Sequence, residues 1–192
     1  NTGRGVTFTS PADAIIIGHD TSPYITAYRW SAAGFGTKYT DVAVPPAAVN
    51  AMEKVGFNHA NNVIVSCFTN FGTPPCTYAH NWSTATGFGT KFANPGTNPG
   101  TIGNTDSSFN PNDTALAIGG STSPYIHAYI WDNNTGFGAK HGNPASLPPN
   151  AVYAVNFNAA GNALAVGHTV TPWITVYNWA AGFGAKYTAP VT

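Results

Sequence analysis

Four copies of one set of short segments run along this chain, and that internal repeat limits its fold more than any single residue does. Each copy opens on a short apolar segment ending in Phe, at Phe8, Phe57, Phe109 and Phe157. A second apolar run follows: Ile15-Ile16-Ile17, Val63-Ile64-Val65, Leu116-Ala117-Ile118 and Leu164-Ala165-Val166. A third begins Pro-aromatic in all copies but the second and ends in Trp30, Trp82, Trp131 and Trp179. A Gly-Phe-Gly signature closes each copy, around Phe35, Phe88, Phe137 and Phe183. The Phe columns recur about every fifty residues, and a period of that length with several short strands per unit means a propeller or a related array.

Within the first copy the elements can be read directly. Val6-Thr7-Phe8 alternates as a half-buried strand does, and Ser10-Pro11-Ala12-Asp13 is a turn. Ala14 to Ile17 is a continuous apolar run, as expected of a strand covered on both faces. Asp20-Thr21-Ser22-Pro23 turns the chain, and Tyr24 to Trp30 is an aromatic and β-branched third strand. Ser31 to Gly36 reads as a small-residue turn, with a fourth strand starting at Thr37-Lys38-Tyr39. Connectors with Pro lead onward at Val44-Pro45-Pro46, Asn98-Pro99-Gly100 and Leu147-Pro148-Pro149. The expected fold is all-β: a propeller of four-stranded antiparallel blades in one repeat domain, with blades near 1–45, 46–100, 101–149 and 150–192. Such a meander needs a neighbour on each face to bury its apolar side chains.

Composition narrows the partners. Charged residues make up 7% of the chain and the net charge is zero, so no basic face invites nucleic acid or an anionic membrane. No apolar stretch approaches the ~20 residues of a membrane helix, so membrane insertion is not expected. Low charge with abundant Asn, Thr, Ser and Ala suits a secreted or virion protein. The start at Asn1 is expected to mark a processed product or part of a longer chain.

The order Val-x-Phe-x-Pro-x-x-x-x-Leu-Ala-x-Gly, followed by a turn and a strand closing on Trp, resembles the WD40-type β-propeller blade. Phe109 to Gly119 and Phe157 to Gly167 match it best. The resemblance implies four strands, a to d, running outward from a central channel. Two departures stand out. The Trp-Asp pair occurs once, as Trp131-Asp132, and the Gly-His pairs Gly18-His19 and Gly167-His168 follow strand b rather than preceding strand a. The family's His-Ser-Asp-Trp network therefore does not carry over. The Gly-Phe-Gly-Thr/Ala-Lys signature is also similar to divergent repeats of phage tail and other virion-associated proteins. WD40-type rings usually close with more blades than four. The expectation is thus a longer propeller, or two or more chains completing a ring, as a homo-oligomer or larger assembly.

In the second copy the chain inserts Phe68 to Pro74 between the second and third strands. Aligning Cys67 with His19 and His168, and Cys76 with Tyr24, Tyr125 and Trp173, sets the two thiols on adjacent antiparallel strands. Opposed Cα atoms there lie about 4.5–5.5 Å apart, within disulfide reach. A Cys67–Cys76 disulfide is the expectation, and two buried thiols are the alternative.

The loops joining second to third strands should open on one face and display His19, Asp20, Tyr24, Tyr125, His168 and Trp173. Aromatic platforms with a few polar groups suit a glycan or protein surface; the alternative is that the three aromatics pack at strand starts. Lys38, Lys91, Lys140 and Lys186 share one column, either as guards of an exposed edge or as a ring of cations. The histidines (19, 59, 80, 127, 141 and 168) show no metal-ligand spacing, and the carboxylates form no acid/base pair. No catalytic residue, metal or cofactor is expected. These readings predict a non-enzymatic structural and adhesive module of an extracellular or virion surface. A lectin with repeated weak sites is the first alternative, and a protein-interaction scaffold the second.

Overall fold

A computed structural model describes residues 2–45, 51–69, 76–99 and 103–191. Among them are sixteen strands and no helix. Blade one holds β1 (Gly3–Phe8), β2 (Ala14–His19), β3 (Ile25–Ser31) and β4 (Gly34–Lys38). Blade two holds β5 (Ala51–Phe57), β6 (Val63–Thr69), β7 (Thr77–Ser83) and β8 (Gly87–Lys91). Blade three holds β9 (Asn104–Phe109), β10 (Ala115–Gly120), β11 (Ile126–Asp132) and β12 (Gly136–Lys140). Blade four holds β13 (Val152–Phe157), β14 (Ala163–His168), β15 (Ile174–Trp179) and β16 (Phe183–Lys186). Each blade is a four-stranded antiparallel sheet in sequence order. The chain is an all-β propeller array of four blades.

The insertion in blade two lies outside the described residues from position 70 to 75, as do Pro46 and Gly100 of the connectors. The fourth strand starts earlier than the sequence predicts, because the Gly-Phe-Gly signature is strand and not turn. Gly34, at φ 97°, closes the hairpin. Phe35 pairs with Trp30 and meets its ring edge-on at 5.1 Å. The ladder slips between Tyr28 and Trp30, so a Cβ on Gly36 would sit 3.1 Å from the Arg29 Cβ. The same close approach recurs at Gly89, Gly138 and Gly184, against Asn81, Ile130 and Asn178. A bulge tightened in this way favours glycine at this position in every blade.

The blades stack as an arc. Inner strand β1 lies beside β5, β5 beside β9, and β9 beside β13; no comparable contact joins blade four back to blade one among the described residues. Between successive blades lies a layer of apolar side chains. Ala14, Ile16, Ile25 and Ala27 of blade one meet Met52, Val55, Ile64 and Trp82 of blade two. Corresponding layers join blades two and three, and three and four. Polar clasps reinforce them: Asp113 accepts from the amides of His59 and Ala60 and from Asn58 Nδ2. The Tyr129 and Tyr177 hydroxyls donate to the connector carbonyls of Thr97 and Ser146.

Candidate functional site

The inner strands carry the polar residues that the arc gathers. Lys54 of β5 and Asp106 of β9 each stand three positions before their repeat Phe, in adjacent blades. Their side chains point toward the next inner strand, and Lys54 Nζ lies 3.0 Å from Asp106 Oδ1. The pair is asymmetric: the Lys54 side chain is 43% exposed and that of Asp106 9%. Asp106 is held from both sides. Its Oδ1 accepts the Ser107 amide at 2.8 Å and its Oδ2 the Val155 amide of blade four at 2.9 Å. One carboxylate thus ties three blades together.

Around this pair opens a recess of about 490 Å³. Lys54, Asp106, Ser107, Ser108 and Asn156 give it polar walls, and Ala165 and Ile174 of blade four supply an apolar side. Ser108 Oγ accepts the Phe157 amide at 3.2 Å and donates to Asn156 Oδ1 at 3.3 Å. A second inter-blade ion pair, Arg4–Glu53 at 3.7 Å, lies on the same inner edge. Sequence reasoning missed these residues because it sought charges recurring in every copy. The signal was the column itself, Gly5, Lys54, Asp106 and Ala154, where opposite charges fall in neighbouring blades.

The face expected to display a ligand site is built differently. His19 Nδ1 lies 3.4 Å from the Thr21 hydroxyl. Asp20 accepts the Thr2 amide at 2.9 Å, and that bond holds its carboxyl below the ordinary value. His168 is buried with Nε2 3.0 Å from Thr175 Oγ1. Tyr24 and Tyr125 pack onto the inter-blade layers. Only Trp173, their counterpart on blade four, is exposed.

Cys67 and Cys76 are buried thiols with no disulfide between them, which corrects the expected bond. The reason is a slip of one residue. Cys67 pairs with Thr77, while the Phe68 amide bonds the Cys76 carbonyl, so Phe68 and not Cys67 takes the His19 position. Side chains alternate along a strand, so one step sends a side chain to the opposite face. Cys67 accordingly faces blade three and Cys76 faces blade one. Burial pushes the Cys67 thiol up to about 12.

Three lysines of the column are held by neighbouring side chains. Lys38 pairs with Asp41 at 2.7 Å, and Lys91 and Lys140 donate to Asn94 and Asn143, each clipping the start of its own connector. Among the described residues, no cluster of three or more His, Cys, Asp or Glu is placed to hold a metal.

No protein-family model matches the chain, and no curated protein matches it. Among solved structures it is similar to a candidate 6-phosphogluconolactonase from Bacteroides uniformis, with a TM-score of 0.73 and 14% identity. The likeness covers 96% of this chain and 52% of that one, so the chain spans about half its length. At that identity the likeness shows the fold alone. It nevertheless overturns the expectation of a non-enzymatic structural and adhesive module, together with its lectin and scaffold alternatives. That expectation passed from this fold, with no catalytic motif visible, to no catalysis, and here the same blade arrangement carries an enzyme's name. Nothing in the comparison points to a virion.

Proposed function

We propose that this chain belongs to a β-propeller hydrolase of divergent WD40-like blades that opens a small anionic sugar lactone in the inner-edge recess. The observation that carries this reading is the Lys54–Asp106 pair, its lysine side chain partly exposed and its carboxylate sequestered. A lactone carbonyl gains negative charge as water attacks, and a positioned cation such as Lys54 stabilises that charge. Asp106 Oδ2 accepts the single amide of Val155 and keeps a lone pair for a proton of the attacking water. The water oxygen bonds to the carbonyl carbon, the ring C–O bond breaks, and Asp106 returns the proton to the departing ring oxygen. Water is the only co-reactant, and the product is a hydroxy acid.

Ser107, Ser108 and Asn156 offer hydroxyl and amide partners to sugar hydroxyls. Support for the substrate class comes from the name of the similar structure and from a recess whose 490 Å³ suits a monosaccharide. The test is proton release from 6-phosphoglucono-δ-lactone and from glucono-δ-lactone, with the spontaneous opening rate subtracted. Acceleration is expected, falling by at least ~100-fold in Asp106→Asn, the usual order of a general base's contribution. Lys54→Gln should lower it as well, with circular dichroism confirming that both variants fold. No acceleration of either lactone by the folded chain overturns the reading.

A further inference from the structure

We propose that a recess between blades three and four binds a primary carboxamide, whose oxygen accepts from Trp179 Nε1 and Asn110 Nδ2 and whose N–H donates to the His141 ring. The chain holds such a group itself one joint earlier. Between blades two and three, the carboxamide oxygen of Asn133 accepts from Trp131 Nε1 at 2.8 Å and from Asn58 Nδ2 at 3.1 Å. Both donors recur at the next joint, as Trp179 and Asn110, and both are set in the same way. Asn110 Oδ1 accepts the amides of Thr114 and Ala115, as Asn58 Oδ1 accepts those of Asn62 and Val63. Trp179 meets Phe157, Phe183 and His141 edge-on at 5.0, 5.3 and 5.2 Å. Trp131 meets Phe109, Phe137 and Phe92 edge-on at 5.2, 5.0 and 5.2 Å. The two indoles are therefore oriented alike.

The acceptor is what differs. Two residues, Ala180 and Ala181, separate Trp179 from Gly182, where four separate Trp131 from Gly136, and Ala181 stands at the offset of Asn133. At the shorter hairpin lies a recess of about 290 Å³, lined by Asn110, Thr114, Ile130, His141, Trp179 and Ala181. Trp179 is only 5% exposed, and its indole N–H has no hydrogen-bond partner among the described residues. Trp82 Nε1 is also without a partner, but it is sealed inside the protein, whereas the Trp179 N–H opens on the recess. At the earlier joint all the groups around the Asn133 oxygen come from blades two and three. The corresponding groups here come from blades three and four, so the site is complete within the chain.

The walls select the ligand. His141 stands where the earlier joint has Phe92, and its ring donates to the Ala181 backbone. Burial lowers its pKa, so the ring is neutral at pH 7 and its other nitrogen is an acceptor. N–H donors on one side and a ring nitrogen on the other match a carboxamide, which accepts through oxygen and donates through nitrogen. A carboxylate offers His141 no N–H and meets no lysine or arginine in the lining. Ile130 and Ala181 cover an aliphatic stem. The volume lies at the small end for ligand sites, enough for a small free amide or one glutamine side chain. No residue is shared with the recess around Lys54 and Asp106, so the proposal is independent of lactone opening.

The indole N–H signals of the five tryptophans in a heteronuclear NMR spectrum test this, assigned with single Trp→Phe variants. Propionamide should shift the Trp179 signal saturably, with a Kd of about 1–10 mM for a ligand of so few heavy atoms. The Trp131 signal, already bonded to Asn133, should stay in place. His141→Phe, which restores the ring type of Phe92, should raise the Kd at least ~10-fold through the lost hydrogen bond. Ala181→Leu, on an exposed hairpin position, should abolish the shift by filling the recess. Circular dichroism checks that both variants fold. A capped Gly-Gln-Gly N-methylamide peptide identifies the source of the carboxamide. Tighter binding of the peptide supports a glutamine side chain of a partner, and binding of propionamide alone supports a free amide. No saturable Trp179 shift at ~100 mM propionamide, or an equal response to propionate, overturns the proposal. So does an unchanged Kd in His141→Phe, or a shift that survives Ala181→Leu.

Discussion

His80 and His127 are buried in the blade layers, and burial lowers each imidazole to about 4. The unfolded chain, with an ordinary value near 6.5, then takes up protons first as pH falls. The stability that depends on keeping these rings neutral is fully present above pH ~6.5 and drains away toward pH ~4, by roughly 2–3 kcal/mol per histidine. The urea midpoint should accordingly drop between pH 7 and 4.5, and His127→Leu should flatten that drop. An unchanged midpoint in the wild type would mean that both rings are hydrated. Residue-scale detail was where the sequence was hardest to read. The cysteine pairing failed by one position, and in a strand one position exchanges the two faces.

Strand order, the first two turns of each blade and the Phe and Trp columns were legible because each depends on neighbours close in sequence, whereas the Gly-Phe-Gly segment read as turn is strand. What was not legible was how tightly elements approach. A Cβ on Gly5 would lie 2.9 Å from the Val55 nitrogen and 3.2 Å from the Lys54 carbonyl carbon. Those are backbone atoms of the next inner strand and cannot rotate aside. Gly5→Ala should therefore destabilise by ~1–3 kcal/mol through overpacking. Gly56 of β5, where an added Cβ would meet nothing within 4 Å, is the control: Gly56→Ala should stay within ~0.5 kcal/mol. Equal urea midpoints for the two variants would show that blades one and two are not so closely stacked in solution.

Across the whole molecule, coverage sets stability. Strands β6 and β10 lie in blades with a neighbour on each face, and nearly every side chain on them is buried. On β14 buried positions alternate with half-buried ones, since among the described residues only one face of blade four is packed against another blade. Amide exchange in dilute solution should show β14 opening at least ~10-fold more readily than β10, as sub-global opening follows buried contact. Equal protection would mean that blade four is covered. The amino-acid sequence by itself determined four blades of four strands, since hydrophobic period, turn residues and the fifty-residue repeat are all local patterns. Only the tertiary structure decided that Lys54 meets Asp106 and that the cysteines face apart. Those facts depend on how one blade is set against the next, and that setting comes from packing between residues about fifty positions apart rather than from any local pattern.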